Sequence, residues 1–211
     1  MRLRRKRNLA ARMEKCAHLI INKPEALRGQ WLGAFGYGHL HIELGCGRGR
    51  FTAETAKAEP DALLVALEKS ADAMIIAVER ADAEGIRNLR FVNALADNLP
   101  DYFAPGEVSR IYINFCDPWP SHRHAKRRLS GGRFLAMYKQ ALCPGGEIRL
   151  KTDNLALFEY SLDEFERCGF ELTEITKDLH KNGAVGIMTD YEQKFHDMGM
   201  PIYYACAQKP C

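Results

Sequence analysis

The 211-residue sequence predicts a doubly wound α/β domain built on a mostly parallel, seven-stranded sheet. Three observations carry that prediction. From His39 onward, short apolar runs alternate with segments of helical periodicity. A glycine-rich turn closes the first of those runs. The length and a 46% hydrophobic composition suit one core of this size. Charged residues at 27%, beside ample Leu, Ile, Val and Phe, exclude wholesale disorder. Residues 31–211 are expected to form this domain, and residues 1–30 a basic N-terminal arm.

Each element follows in order. Asn22-Lys23-Pro24 and Gly33 to Gly38 mark turns, not a long linker. His39–Leu44 is the first strand, followed by the glycine turn and a helix near Phe51–Ala58. Ala62–Leu67 is the second strand. Ser70 is a candidate N-cap for a helix in which Met74, Ala77, Val78 and Ala81 recur on one face. Leu89–Asn93 and Arg110–Phe115 supply the next two strands. A helix around Phe134–Leu142 meets a stop signal at Cys143-Pro144-Gly145-Gly146, and Glu147–Lys151 is the fifth strand. Phe158, Leu162 and Phe165 form the apolar stripe of a helix that starts near Asn154 and ends at Gly169. Phe170–Ile175 and Ile202–Ala207 complete the sheet. A reversal of strand order in such a sheet opens a ligand crevice at the strand carboxyl ends.

Charge is unevenly placed. Residues 1–15 hold 7 Lys/Arg and one acid, and residues 119–133 hold 5 Lys/Arg and no acid. The remainder has 18 basic against 26 acidic residues, a net charge of −8, although the whole chain is formally +3. An acidic body with two concentrated basic segments points to a polyanionic partner. The 7 cysteines are irregularly spaced with no C-x-x-C, which favours a reducing, cytoplasmic setting over a disulfide framework. His39 and His41 share a strand face without an accompanying Cys pair, so they are expected to be structural and no metal is expected. No apolar run approaches the roughly 20 residues of a membrane span. Arg12, Glu14, Lys15 and His18 interrupt what would be the core of a secretory signal.

The glycine turn reads Glu43-Leu44-Gly45-Cys46-Gly47-Arg48-Gly49. A dinucleotide fingerprint needs glycine at position 50, which is Arg50. A carboxylate ending the first strand would oppose a pyrophosphate but suits a cation. S-adenosyl-L-methionine carries an ammonium and a sulfonium and no phosphate, so Glu43 fits it better than it fits NAD. Glu68, ending the second strand, is placed to accept hydrogen bonds from ribose hydroxyls, and Asn93-Ala94 to meet the adenine.

After the fourth strand, Asn114-Phe115-Cys116-Asp117-Pro118-Trp119-Pro120 holds an acid in a proline-restricted loop beside the crevice. Arg123, His124, Lys126, Arg127 and Arg128 follow at once, a run suited to phosphate contact.

With these motifs in place, the sequence closely resembles bacterial tRNA (guanine-N7-)-methyltransferases, which methylate guanine 46 in the variable loop. The resemblance runs from the N-terminal M-R-L-R through E-L-G-C-G-R-G, N-F-C-D-P-W-P, R-H-A-K-R-R-L, K-T-D-N with L-F-E-Y-S-L, and T-D-Y-E-Q-K-F to the closing P-I-Y. It implies a Rossmann-like class I methyltransferase. Glu43, Gly45, Gly47, Glu68, Asn93, Ala94 and Asp117 then correspond to the S-adenosylmethionine site. Ser121, His122, Arg123, Lys126, Arg127, Arg128, Asp153, Thr189, Asp190, Tyr191 and Glu192 fall on the substrate side. Many members have Lys after D-P-W-P where this chain has Ser121 and His122, and Asp190 replaces a common Glu. The implied partner is tRNA, met by a monomer or homodimer without membrane or metal.

Guanine N7 carries a free in-plane lone pair, so no base is needed before methyl transfer. Positive charge grows on the purine instead. Asp117, the expected catalytic residue, and Asp153 with support from Glu192 would stabilise that charge. Tyr191 or Trp119 would stack on the exposed base. Another class I methyltransferase, acting on a different RNA or a small molecule, would share the cofactor turn, but a small-molecule enzyme would have no use for two basic segments. A non-catalytic RNA-binding module would not need acids ending successive strands.

Overall fold

The computed structural model describes residues 6–211. The seven strands are β1 (His39–Leu44), β2 (Ala62–Leu67), β3 (Leu89–Val92), β4 (Val108–Asn114), β5 (Leu142–Thr152), β6 (Glu171–Thr176) and β7 (Tyr203–Gln208). They lie in the order β3-β2-β1-β4-β5-β7-β6, and only β7 runs antiparallel to its neighbours. The order reverses between β1 and β4, which opens a crevice at the carboxyl ends of the strands. β2 is buried along its whole length, as the unbroken Ala-Leu-Leu-Val-Ala-Leu run requires of a strand covered on both faces.

The helices are α1 (Leu9–Lys15), α2 (Trp31–Phe35), α3 (Arg50–Ala58), α4 (Ala71–Ala83), α5 (Leu99–Tyr102), α6 (Gly132–Ala141), α7 (Leu155–Arg167) and α8 (Asp190–Asp197). Ser70 caps α4 by accepting from Ala73 N, and Asn154 caps α7 by accepting from Leu157 N. Both helices end in the same way. Gly85 and Gly169 take positive φ, while Ile86 N and Phe170 N reach back to the carbonyls of Ala81 and Phe165. The Phe165 and Phe170 rings then meet edge to face at 6.1 Å.

The helices α1, α2, α5 and α8 are not expected from the sequence, and two further segments depart from its reading. Cys143-Pro144-Gly145-Gly146 ends α6 but lies inside β5, which starts at Leu142. The register jumps from Val108↔Leu142 to Arg110↔Glu147, so these four residues form a bulge. Only glycine fits at its end, because a Cβ on Gly146 would stand 2.9 Å from the Cys143 carbonyl oxygen. The second departure is the arm. Arg2, Arg4 and Arg5 lie outside the described residues, but residues 9–30 are not set apart from the domain. Arg12 is paired with Glu79 of α4 at 2.6 Å, and Cys16, Leu19 and Ile20 are buried. Ile20 forms a bridge with Phe91, and Ile21 N donates to the Phe91 carbonyl, covering the outer edge of β3. Apolar side chains at 16, 19 and 20 have more to gain from that edge than from water.

Candidate active site

A cavity of about 680 Å³ lies at the carboxyl ends of β1, β2, β3 and β4. Gly45, Glu68, Ala94, Asp117, Lys126 and Arg127 line it, joined by Asn114, Phe115 and Arg133. Its volume falls in the range of small-molecule sites. Gly45 and Gly47 take positive φ, and a Cβ on either would meet nothing within 4 Å, so the backbone here is open to close approach. Glu68 is oriented by two backbone donors, Gly47 N at 3.0 Å and Ser70 N at 2.8 Å. Its lone pairs are not exhausted by these bonds. Asn93 donates its amide to the Glu68 carbonyl at 2.7 Å, tying the tips of β2 and β3 together.

Glu43 does not line the cavity. It is 2% exposed and accepts from Thr52 Oγ1 at 2.5 Å and from the cavity-lining Asn114 at 3.3 Å. Burial pushes its carboxyl up to about 7, against the two hydrogen bonds that favour the ionised form. Burial also holds the thiol of Cys116 up to about 12, and that of Cys46 well above its ordinary value. Both thiols therefore stay protonated at neutral pH and are poor nucleophiles.

Asp117 is exposed at the mouth, 3.5 Å from Lys69 Nζ. The loop that presents it is strained, since Phe115 and Trp119 hold φ of 50° and 42°. Arg128 braces it. Its Nε donates to the carbonyls of Pro118 and Trp119 at 3.1 and 3.2 Å, and its Nη2 to Trp119 at 3.0 Å. The guanidinium lies 4.3 Å from the centre of the Tyr160 ring. The sequence places Arg128 among the RNA contacts, yet its side chain is buried and its Nε and Nη2 donate to the loop. Ser121, His122, Arg123, Lys126 and Arg127 remain exposed around the 3₁₀ turns His122–Arg127. Arg127 lies over the Trp119 ring at 4.8 Å, which is half-buried at the mouth rather than in the core.

On the far side of the mouth, Tyr191 is 62% exposed and stacks with Phe115 at 6.4 Å and Phe195 at 6.3 Å. Asp190 is exposed, 3.8 Å from Arg50 Nη1. Asp153 is half-buried just past β5. Thr189 caps α8 in a capping box with Glu192. The sequence puts Glu192 on the substrate side, but it is fully buried, paired with Lys151 at 2.8 Å and His180 at 2.9 Å. Lys69 and His180 are not singled out by any sequence motif, and Lys151 enters only as the first residue of K-T-D-N, with no role attached to it. The T-x-x-E spacing of Thr189 and Glu192 is the one local signal that could have found α8.

Known proteins resemble this chain in sequence and in fold. The model of the family described as "Putative methyltransferase" matches residues 38–205. A tRNA (guanine-N(7)-)-methyltransferase of Bacillus cytotoxicus is 44% identical over 205 residues, covering 96% of this chain and 94% of the relative. One of Geobacillus kaustophilus is 42% identical over 212 residues, covering 100% of this chain and 98% of the relative. The 16S rRNA methyltransferase KamB superposes with a TM-score of 0.66 at 18% identity, over 89% of this chain and 92% of its own. A mutant 16S rRNA (adenine(1408)-N(1))-methyltransferase with cosubstrate SAM, from Catenulisporales acidiphilia, gives a TM-score of 0.61 at 14% identity, over 94% and 91%. At those identities the two structural likenesses speak for the fold alone.

Proposed function

The chain belongs to the family of tRNA (guanine-N(7)-)-methyltransferases, and from that premise we propose that it moves a methyl group from S-adenosylmethionine to N7 of guanine 46 in the tRNA variable loop. The observation that carries this reading is one juxtaposition. Asp117 stands at the mouth of a crevice walled by Gly45, Glu68 and Ala94 on one side and by Lys126 and Arg127 on the other.

The residues present fit the methyl donor. Glu68, already fixed by two backbone N–H groups, has acceptor capacity left for a pair of ribose hydroxyls. Gly45 and Gly47 leave room for the amino-acid portion. S-adenosylmethionine, when bound, supplies an electrophilic methyl on a sulfonium. Glu43, one hydrogen bond behind Asn114, gains from ionising next to such a cation.

The chain's own contribution to the chemistry is placement and charge. Asp117 accepts hydrogen bonds from the guanine N1–H and exocyclic amine, and Asp153 lends a second carboxylate. Both favour the cationic purine over the neutral one, and so stabilise the transition state more than the ground state. Ser121, His122, Arg123, Lys126 and Arg127 grip the phosphate backbone, and Tyr191 offers its exposed face to the displaced base. Protonated Cys46 and Cys116 take no covalent part.

The test is incubation with methyl-labelled S-adenosylmethionine and bulk tRNA, followed by digestion and mass spectrometry. The label is expected on 7-methylguanosine, and replacing Asp117 with Ala should cut it by roughly a hundredfold or more. Label on another atom, or none, would overturn the assignment.

A further inference from the structure

α8 is eight residues long, and its single buried residue is Glu192. Helices ordinarily dock through an apolar stripe. This one docks through a carboxylate. Glu192 accepts from Lys151 Nζ at 2.8 and 3.1 Å, from His180 Nε2 at 2.9 Å and from Thr189 N at 3.1 Å. Lys151 also donates to the Ile187 carbonyl at 2.9 Å. On His180, Nδ1 accepts from Val185 N at 3.1 Å, which leaves the ring proton on Nε2, aimed at Glu192. The same ring meets His196, in the last turn of α8, edge to face at 5.3 Å. His180 therefore touches the helix near both ends.

Apolar contact adds half-buried Phe195 and exposed Tyr191, both stacked on Phe115 at 6.3 and 6.4 Å, but the segment leading into the helix offers little more. Residues 177–189, which lead into α8, form no regular helix or strand, and Gly183 and Gly186 take positive φ. Leu179, Val185 and Ile187 face a cavity of about 310 Å³ shared with Phe51 and Tyr112, so the segment has open space beneath it.

We infer that His180 is a positioning residue for methyl transfer. Acting through Glu192, and together with Lys151, it sets where α8 presents Asp190 and Tyr191 at the mouth of the crevice. Glu192 then serves the reaction without touching RNA. The inference rests on the proposed tRNA reading, because it assumes that the exposed face of α8 meets the RNA.

Two variants test it. His180→Ala removes the donor to Glu192, whereas His180→Gln keeps an N–H for it. Methylation of tRNA is resolved into KM and kcat, cofactor affinity is measured by calorimetry, and hydrogen–deuterium exchange is followed across residues 189–197. His180→Ala is expected to raise KM for tRNA by about tenfold, leave cofactor affinity within about twofold and speed exchange in α8, with His180→Gln restoring most of the loss. An unchanged KM, an equal loss of cofactor affinity, or a Gln variant no better than Ala would overturn the positioning role. A native protein that fails to methylate tRNA would overturn the proposed function instead, and the exchange data would still report on the clamp.

Discussion

α4 and α8 both begin at a hydroxyl cap, yet they are fastened to the sheet by opposite means. α4 buries Ala73, Met74, Ile75, Ala77, Val78 and Ala81, while α8 buries Glu192. The contrast extends to the two halves of the crevice. The wall proposed to hold the methyl donor hangs from fully covered strands. The side proposed to face RNA is held by buried polar groups: Arg128 under the D-P-W-P loop and Glu192 under α8. Apolar packing gives stability without direction. A buried charge gives direction, and its net contribution to stability is small once desolvation is counted. The RNA-facing side is thus narrowly aimed and comparatively easy to open.

The largest expected effect lies on the packed side. Gly49, the N-cap of α3, has φ 76°, and a Cβ there would stand 2.8 Å from Ala77 Cα. Gly49→Ala should cost about 2–5 kcal/mol from strain and overpacking together. Urea denaturation would measure it, and an unchanged midpoint would break the claim that packing fixes this half. Arg128→Ala comes next. Stability should fall by about 1–3 kcal/mol, as for buried carbonyls left without a donor. Methylation should fall by about tenfold or more, with cofactor affinity nearly unchanged. Equal losses of both would mean that the loop and the donor wall are not separable.

The smallest effect is a pH dependence. The Glu43 carboxyl titrates near 7 in the free protein, and a bound cation favours its ionised form. Cofactor affinity should therefore strengthen about tenfold from pH 6 to pH 8, with proton release, and Glu43→Gln should flatten that component. Stability of the free protein runs the other way. A carboxyl whose folded pKa is raised stabilises fully below its unfolded value near 4.5, and that contribution is lost as pH rises through 7. Calorimetry across the pH range would check both signs.

The sheet was legible in the sequence because its central strands are apolar runs: β1 and β2 fall on the expected residues. The caps Ser70 and Asn154 were legible because capping is local. The clamps were not. Lys151 and Glu192 lie 41 positions apart, and polar residues read as surface until a partner is known. Arg128 is indistinguishable by type from Arg127 beside it, and only the fold turns one inward and the other outward. Glu43 was legible as an acid ending a strand, but its depth, and hence its proton affinity, depends on Thr52 and Asn114. The antiparallel run of β7 leaves no local signature either.

The two rims of the sheet are defended differently, and this bears on how the protein behaves in bulk solution. Ile20 and Ile21 occupy the open side of β3, whereas β6 is left bare with Glu171 and Glu174 in its sequence. Like charges deter one β6 from pairing with another. Nothing comparable would guard β3 if the chain were trimmed past residue 21. A truncation meant to remove only the leading cations should stop before Asn8, which keeps Arg12 on Glu79, because one that ran on past Ile21 would expose a templating edge and turn a question about RNA affinity into one about precipitation.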